Sequence, residues 1–391
     1  MLPAYTVEMV KAGNMPALRA CRETSALVTD TSPMPRTIIP FGPQHPVLPE
    51  PVHLDLVVED EKVLEARPSI GFIHRGLEKL VEKKDYVEFV YIAERICGIC
   101  SFIHGQTYCQ AIETIMNIAV PPRALYLRTV WGELSRIHSH LLWLGLMADA
   151  VGFESLFMHS WRVRERVLNI IEATTGGRVI FGSCKIGGVR RDIAADAIKQ
   201  LLVDLKKIEQ DTRDITNVFL NDSSVKDRLC GVGVLSRQDA YDLGCVGPVL
   251  RASGVAQDMR QLGYAAFKDL DFAPITRTEG DSYARCAVRC QELFQSMEII
   301  RQALAKIPEG EIAVKVTGNP NGEVLARTEQ PRGEVAYCLK ANGSKNLQRF
   351  RVRTPTFANL PAMLKMLPGC DLADVPVLVL TIDPCISCTE R

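Results

Sequence analysis

The sequence predicts an α+β fold: a central bundle of long helices with small antiparallel sheets at its edges. Three observations carry this expectation. Several long segments repeat apolar side chains at three-to-four spacing, the period of a helix. Shorter stretches alternate apolar and polar residues, the period of a half-buried strand. The 391-residue chain is 47% hydrophobic and 24% charged, enough apolar material for a sizeable core. At about 150 residues per domain, one large or two to three small domains are possible. We read residues 37–391 as one domain and residues 1–36 as an N-terminal extension.

The elements follow in order. In VHLDLVVED, the side chains of Val52, Leu54, Leu56 and Val58 share one face, and Asp60-Glu61 turns this strand into a second, KVLEAR. From Gly76 the pattern becomes helical, with Gly98 in a sharp break. Pro121-Pro122 opens a long helix, because proline fits a first turn. Leu127, Val130, Leu134, Ile137, Leu141 and Leu144 form its stripe. Further helices are expected over about 155–174, ending at Gly176-Gly177, over about 192–220, and from near Asp281 onward. Helices of this length pack as a bundle. Beyond Pro308, EVAYCLKANGSKNLQRFRVRTP reads as a hairpin turning at Asn342-Gly343. A short helix over about 357–366 follows. The continuous apolar run Val375–Ile382 reads as a buried strand that delivers the last motif, DPCISC.

Charge excludes some functions. Lys+Arg and Asp+Glu are both 46, so the net charge is +0. That argues against a nucleic-acid partner, which needs a basic field. No apolar run approaches the roughly 18 residues that span a bilayer. The longest, near 141–153, is interrupted by Asp149. The N-terminus lacks a secretory apolar core and cleavage site. The chain is therefore expected in the cytoplasm, attached to the membrane through other subunits. Without a secretory signal, its 13 cysteines point to free thiols and metal ligands rather than a disulfide framework.

Two motifs concentrate the chemistry: RICGICSFIH (Arg95–His104) and DPCISC (Asp383–Cys388). Each contains Cys-x-x-Cys, a spacing that lets both sulfurs face one metal centre. Four thiolates suit zinc, iron or nickel. A local structural zinc site usually has its pairs about 15–20 residues apart. These pairs are about 280 apart. Neither follows a strand in a βαβ context, as a thioredoxin-like dithiol would. Cys286 and Cys290, one helical turn apart, read as core thiols. His138 falls on an apolar stripe and reads as a hydrogen-bonded core histidine. His104 reads as a residue that orients the cysteine loop.

These motifs resemble the large subunit of nickel–iron hydrogenases. GPQHP (Gly42–Pro46), HRGLEKL (His74–Leu80), ELSRIHSHLLWLG (Glu133–Gly145), EGDSYAR (Glu279–Arg285), QPRGE (Gln330–Glu334) and VRTPTFANL (Val352–Leu360) extend the resemblance to the energy-converting, Ech-type branch. They also resemble the quinone-site subunit of complex I, which shares the fold but has lost the cysteines.

The resemblance implies a fold like that of the hydrogenase large subunit. It implies that Cys97 and Cys385 are terminal nickel ligands, and that Cys100 and Cys388 bridge nickel to an iron carrying one CO and two cyanides. It matches Arg332 to a guanidinium over the metals, Thr356 to a cyanide donor, and Asp383 to the partner of that arginine. The implied reaction is heterolytic formation or cleavage of H₂, with Cys385 taking the proton. Glu50 resembles the relay carboxylate, although a solvated loop acid is an equal reading of VLPEPV. His45 matches the GPxHP histidine or pins a turn. Asp55 falls where standard hydrogenases carry a ligand for a second magnesium or iron ion. Those enzymes end in His, whereas Cys388 here is followed by Thr-Glu-Arg. That end suits the mature form of a family whose precursors are clipped after the last motif. Implied partners are a small subunit carrying [4Fe–4S], a ferredoxin-like Fe–S subunit and integral membrane subunits, with reduced ferredoxin as electron source and ion translocation as the coupled work. A complex I-like quinone or sulfur oxidoreductase subunit with a modified metal site is the alternative.

Overall fold

A computed structural model describes residues 36–391 apart from positions 47 and 49. The expected extension therefore lies outside the described residues, save Arg36. Strands β1 (Thr37–Phe41), β2 (His53–Glu59) and β3 (Lys62–Ser69) form an antiparallel sheet in the order β1-β2-β3. Alternation decides its faces: Val52, Leu54, Leu56 and Val58 are all buried. Leu54, Leu56 and Val58 cover a smaller core shared with Val249, Leu250, Met363 and Leu378.

The helical body follows. It comprises α1 (Phe89–Glu94), α2 (Ser101–Met116), α3 (Pro122–Ala150), α4 (Glu154–Thr175), α5 (Ala195–Asn221) and α6 (Ser282–Lys306). Pro122 starts α3, and the left-handed Gly176 stops α4. The Asp281 carboxylate caps α6 by accepting from the Ala284 N–H. Helix α3 packs against α2, α4 and α6 at once. It is therefore buried all round rather than along one stripe.

Strands β4 (Asn321–Gln330), β5 (Gly333–Asn342) and β6 (Arg349–Arg353) form a second antiparallel sheet that packs on α2. The expected β5–β6 pairing is present. Strand β4, which the periodicity did not predict, pairs with β5 across the tight turn Pro331-Arg332. Helices α7 (Pro355–Met366), α8 (Val375–Thr381) and α9 (Ile386–Glu390) close the described chain.

Helix α8 corrects the expected strand at 375–382. Pro376 lies in its first turn, where the fixed φ suits a helix and the missing N–H costs nothing. All its residues except Pro376 are buried. Full burial erases the polar–apolar period that separates helix from strand.

Candidate metal centre

The two Cys-x-x-Cys turns meet. Cys97 Sγ lies 3.4 Å from Cys385 Sγ, and Cys100 Sγ lies 3.5 Å from Cys388 Sγ. All four side chains are buried. The two turns share a local design. Cys97 Sγ accepts from the N–H groups of Ile99 and Cys100 at 3.3 and 3.4 Å. Cys385 Sγ accepts from the Cys388 N–H at 3.4 Å. Each pair also sits at a helix start, with Cys100 preceding α2 and Cys385 preceding α9. Backbone N–H groups pointed at sulfur favour the thiolate. Hydrogen bonds from Cys100, Cys385 and Cys388 hold the Cys97 thiol well below its ordinary value. Burial pushes Cys100 and Cys388 well above theirs.

The ligand-capable atoms form two overlapping sets, Cys97/Cys385/Cys388 and Cys100/His104/Cys388, each within 4.8 Å. Cys388 belongs to both. A lone tetrahedral ion needs one set, whereas two ions sharing a sulfur need overlapping sets. His104 Nε2 is 3.4 Å from Cys388 Sγ, and its Nδ1 is bonded to the Tyr337 hydroxyl at 2.6 Å. Burial drives His104 down to about 4, with Arg391, Arg75 and Arg332 opposing its protonation further. It is therefore neutral. His138 donates to the Ile99 carbonyl at 3.0 Å, so this core histidine holds the first turn from α3.

Arg332 lies on the β4–β5 turn. Its Nε donates to the Asp383 carbonyl at 2.7 Å, and its Nη2 contacts the Asp383 carboxylate at 2.9 Å. This fork holds Asp383 in a left-handed conformation, φ 56°, two residues before Cys385. Arg332 Nη1 and Asp383 Oδ2 are buried without partners. Such orphans are costly unless a polar group completes them. Thr356 Oγ1 accepts from the Cys385 N–H at 3.0 Å, which leaves its own hydrogen available. Four thiols, an unfilled guanidinium edge and a free hydroxyl hydrogen fit an anionic group whose ligands accept hydrogen bonds.

Glu50 is half-buried at the second turn, not solvated. Its carboxylate accepts from the N–H groups of Ile386 and Ser387 and from the Ser387 hydroxyl. Its Oε1 is 4.0 Å from Cys385 Sγ. The His45 ring lies tilted against Phe41, with centroids 4.2 Å apart. Asp55 is bonded to His53 at 3.0 Å, and among the described residues it joins no set of three possible ligands. Cys286 and Cys290 are buried in α6, outside the sulfur cluster, and burial pushes the Cys286 thiol up to about 12.

Sequence reasoning missed a belt of buried charge behind Arg332. Arg136 donates to the carbonyls of Gln330 and Glu329 at 3.0 and 2.9 Å, pinning the turn. Glu133 pairs with both Arg136 and Arg260 at 3.2 Å. Arg251 holds Glu292 and Glu329 at 2.7 and 2.8 Å, and Asp258 joins Arg260 at 2.7 Å. Nothing in a single sequence marks these charges as buried. Arg75 was also missed, although it stands in a quoted motif.

Residues 75–148 match the family described as nickel-dependent hydrogenase. Residues 150–318 and 312–391 match that of the respiratory-chain NADH dehydrogenase 49 Kd subunit. The chain belongs to the family that unites these large subunits. It is 42% identical to the carbon monoxide-induced hydrogenase of Rhodospirillum rubrum, over 90% of this chain and 99% of that protein. It is 40% identical to the membrane-bound hydrogenase subunit alpha of Pyrococcus furiosus, over 90% and 87%. A chain in the solved structure of the membrane-bound sulfane sulfur reductase, an archaeal respiratory membrane complex, superposes with a TM-score of 0.88. That match is 30% identical and covers 93% of this chain and all of that one.

Proposed function

We propose that this chain is the catalytic large subunit of an energy-converting nickel–iron hydrogenase, with residues 37–391 as its catalytic domain. The observation that carries the reading is the convergence of four buried sulfurs from two distant segments into two sets sharing Cys388. Cys97, Cys100, Cys385 and Cys388 would hold a nickel–iron centre with one CO and two cyanides. When bound, that centre supplies reversible heterolytic splitting of H₂.

The chain's own groups do the rest. Arg332, fixed by Asp383, places its charge beside an anionic cluster and offers Nη1 as a donor. Thr356 offers its hydroxyl hydrogen. The Cys385 sulfur takes the proton, and Glu50, 4.0 Å away and reaching a half-buried surface, passes it outward. Both sets of possible ligands among the described residues belong to this one site. Electrons therefore come through a partner subunit carrying [4Fe–4S], and ultimately from reduced ferredoxin. No helix among the described residues is long and apolar enough to cross a membrane. Membrane subunits would hold the chain at the cytoplasmic face and carry the coupled ion translocation.

Kinship with a sulfur reductase favours a second reading, a complex I-like quinone or sulfur oxidoreductase subunit. Metal analysis and infrared spectroscopy of the purified complex separate them. Equal nickel and iron, with CO and cyanide bands and H₂ evolution from reduced ferredoxin or a viologen, are expected. A single zinc, or no diatomic bands, would overturn the proposal. Diatomic bands without H₂ turnover would favour the second reading.

A further inference from the structure

Among the described residues, no backbone hydrogen bond joins the turn at 97–100 to the turn at 385–388. Their sulfurs nevertheless sit 3.4 and 3.5 Å apart. Arg75 spans the gap. Its Nη1 donates to the Arg95 carbonyl at 2.9 Å. Its Nη2 donates to the Ile96 carbonyl at 2.8 Å and to the Ser387 carbonyl at 2.8 Å. One guanidinium thus grips the two residues just before Cys97 and one of the two residues between Cys385 and Cys388. A planar fork with fixed donor directions suits this task, and an ammonium does not.

The segment bearing Arg75 is itself fastened to the second turn. The Glu390 carboxylate accepts from the N–H groups of Gly71 and Ile73 at 2.7 and 2.6 Å. Glu78 accepts from Arg391 at 2.9 Å and from the Val352 N–H at 2.9 Å. Arg75 is therefore held from both sides, with its guanidinium bonded to backbone carbonyls of both cysteine turns.

We propose that Arg75 is a positioning residue that clamps the two cysteine turns into one metal-binding cage and sets its positive charge against both turns. The inference rests on the metal-centre reading above and concerns how that site is assembled. Groups bonded behind ligands typically change metal affinity by about 10- to 100-fold.

The test compares Arg75→Met and Arg75→Lys with the unaltered full chain. Cobalt(II), which gives thiolate charge-transfer bands, is titrated into each metal-free protein. Arg75→Met should weaken cobalt binding by about 10- to 100-fold with an unchanged thermal midpoint, and Arg75→Lys should recover part of it. In the loaded complex, the residual CO band of Arg75→Met should move to lower wavenumber, because lost positive charge leaves more electron density at iron. Arg75→Lys should leave the band in place. Cobalt affinity within twofold of the unaltered chain in both variants would overturn the clamp. If Arg75→Met does not fold, normal cobalt affinity in a folded Arg75→Lys is the overturning result and weakened affinity the supporting one. An unaltered complex without nickel and iron would sink the proposed function, while the cobalt comparison would still decide the role of Arg75.

Discussion

Glu50 has two duties at one place. It caps the start of α9 through the N–H groups of Ile386 and Ser387, and it stands beside the Cys385 sulfur. Glu50→Gln keeps an acceptor for the cap but cannot carry a proton. Turnover should fall by about 10²- to 10⁴-fold with metal content unchanged. Unchanged turnover would move the relay elsewhere. Glu94, three residues before Cys97, is the opposite kind of carboxyl. Both its oxygens are buried without partners. Burial raises it to about 7, outweighing the attraction of Arg190 and Arg95. Its folded value lies above its unfolded one, so ionising it on going from pH 4.5 to 7 costs stability, reaching about 3 kcal/mol at higher pH. Glu94→Gln should therefore match the unaltered protein near pH 4.5 and exceed it increasingly up to pH 7, with a constant gain above. Urea midpoints measured across that range check this, and a gain independent of pH would refute it.

At the level of elements, the turn bearing Arg332 depends on two glycines set back to back. A methyl on Gly247, φ +66°, would lie 2.3 Å from Gly333 Cα and 2.5 Å from the Arg332 carbonyl. Gly247→Ala should cost at least about 2 kcal/mol, from the left-handed backbone and the displaced turn together. An unchanged denaturation midpoint would show that the turn yields freely. The same turn shows where sequence reading stops. Helices α3, α4 and α6 were legible because proline, glycine and an acidic cap punctuate them, and α5 because its apolar residues repeat at helical spacing. Both cysteine turns and Arg332 were legible as motifs. Strand β4 was not, because its buried end is polar: Thr328, Glu329 and Gln330 are all buried, Thr328 against Thr107 and Glu329 against Arg251, so the stretch looks solvent-exposed. Helix α8 was misread for the converse reason, a run apolar on every side.

Across the whole molecule, cysteines 288 positions apart close one site. Binding energy for a metal held by both turns is also folding energy for the segments that present them. Hydrogen exchange should therefore be faster in the metal-free chain over residues 71–75 and 383–391, and unchanged in α3, whose amides are locked in the core. Equal protection of those outer segments with and without metal would mean that the cage is rigid before it is filled.

The helix α3 that supports the first cysteine turn is complete within residues 122–150, long before the second sulfur pair exists on a growing polypeptide. During synthesis the cradle thus passes through a half-built stage with two thiols and an open flank. An ion bound at that stage would meet half of the four sulfurs. The second pair arrives on a segment that docks to α3, where Trp143 donates to the Leu380 carbonyl.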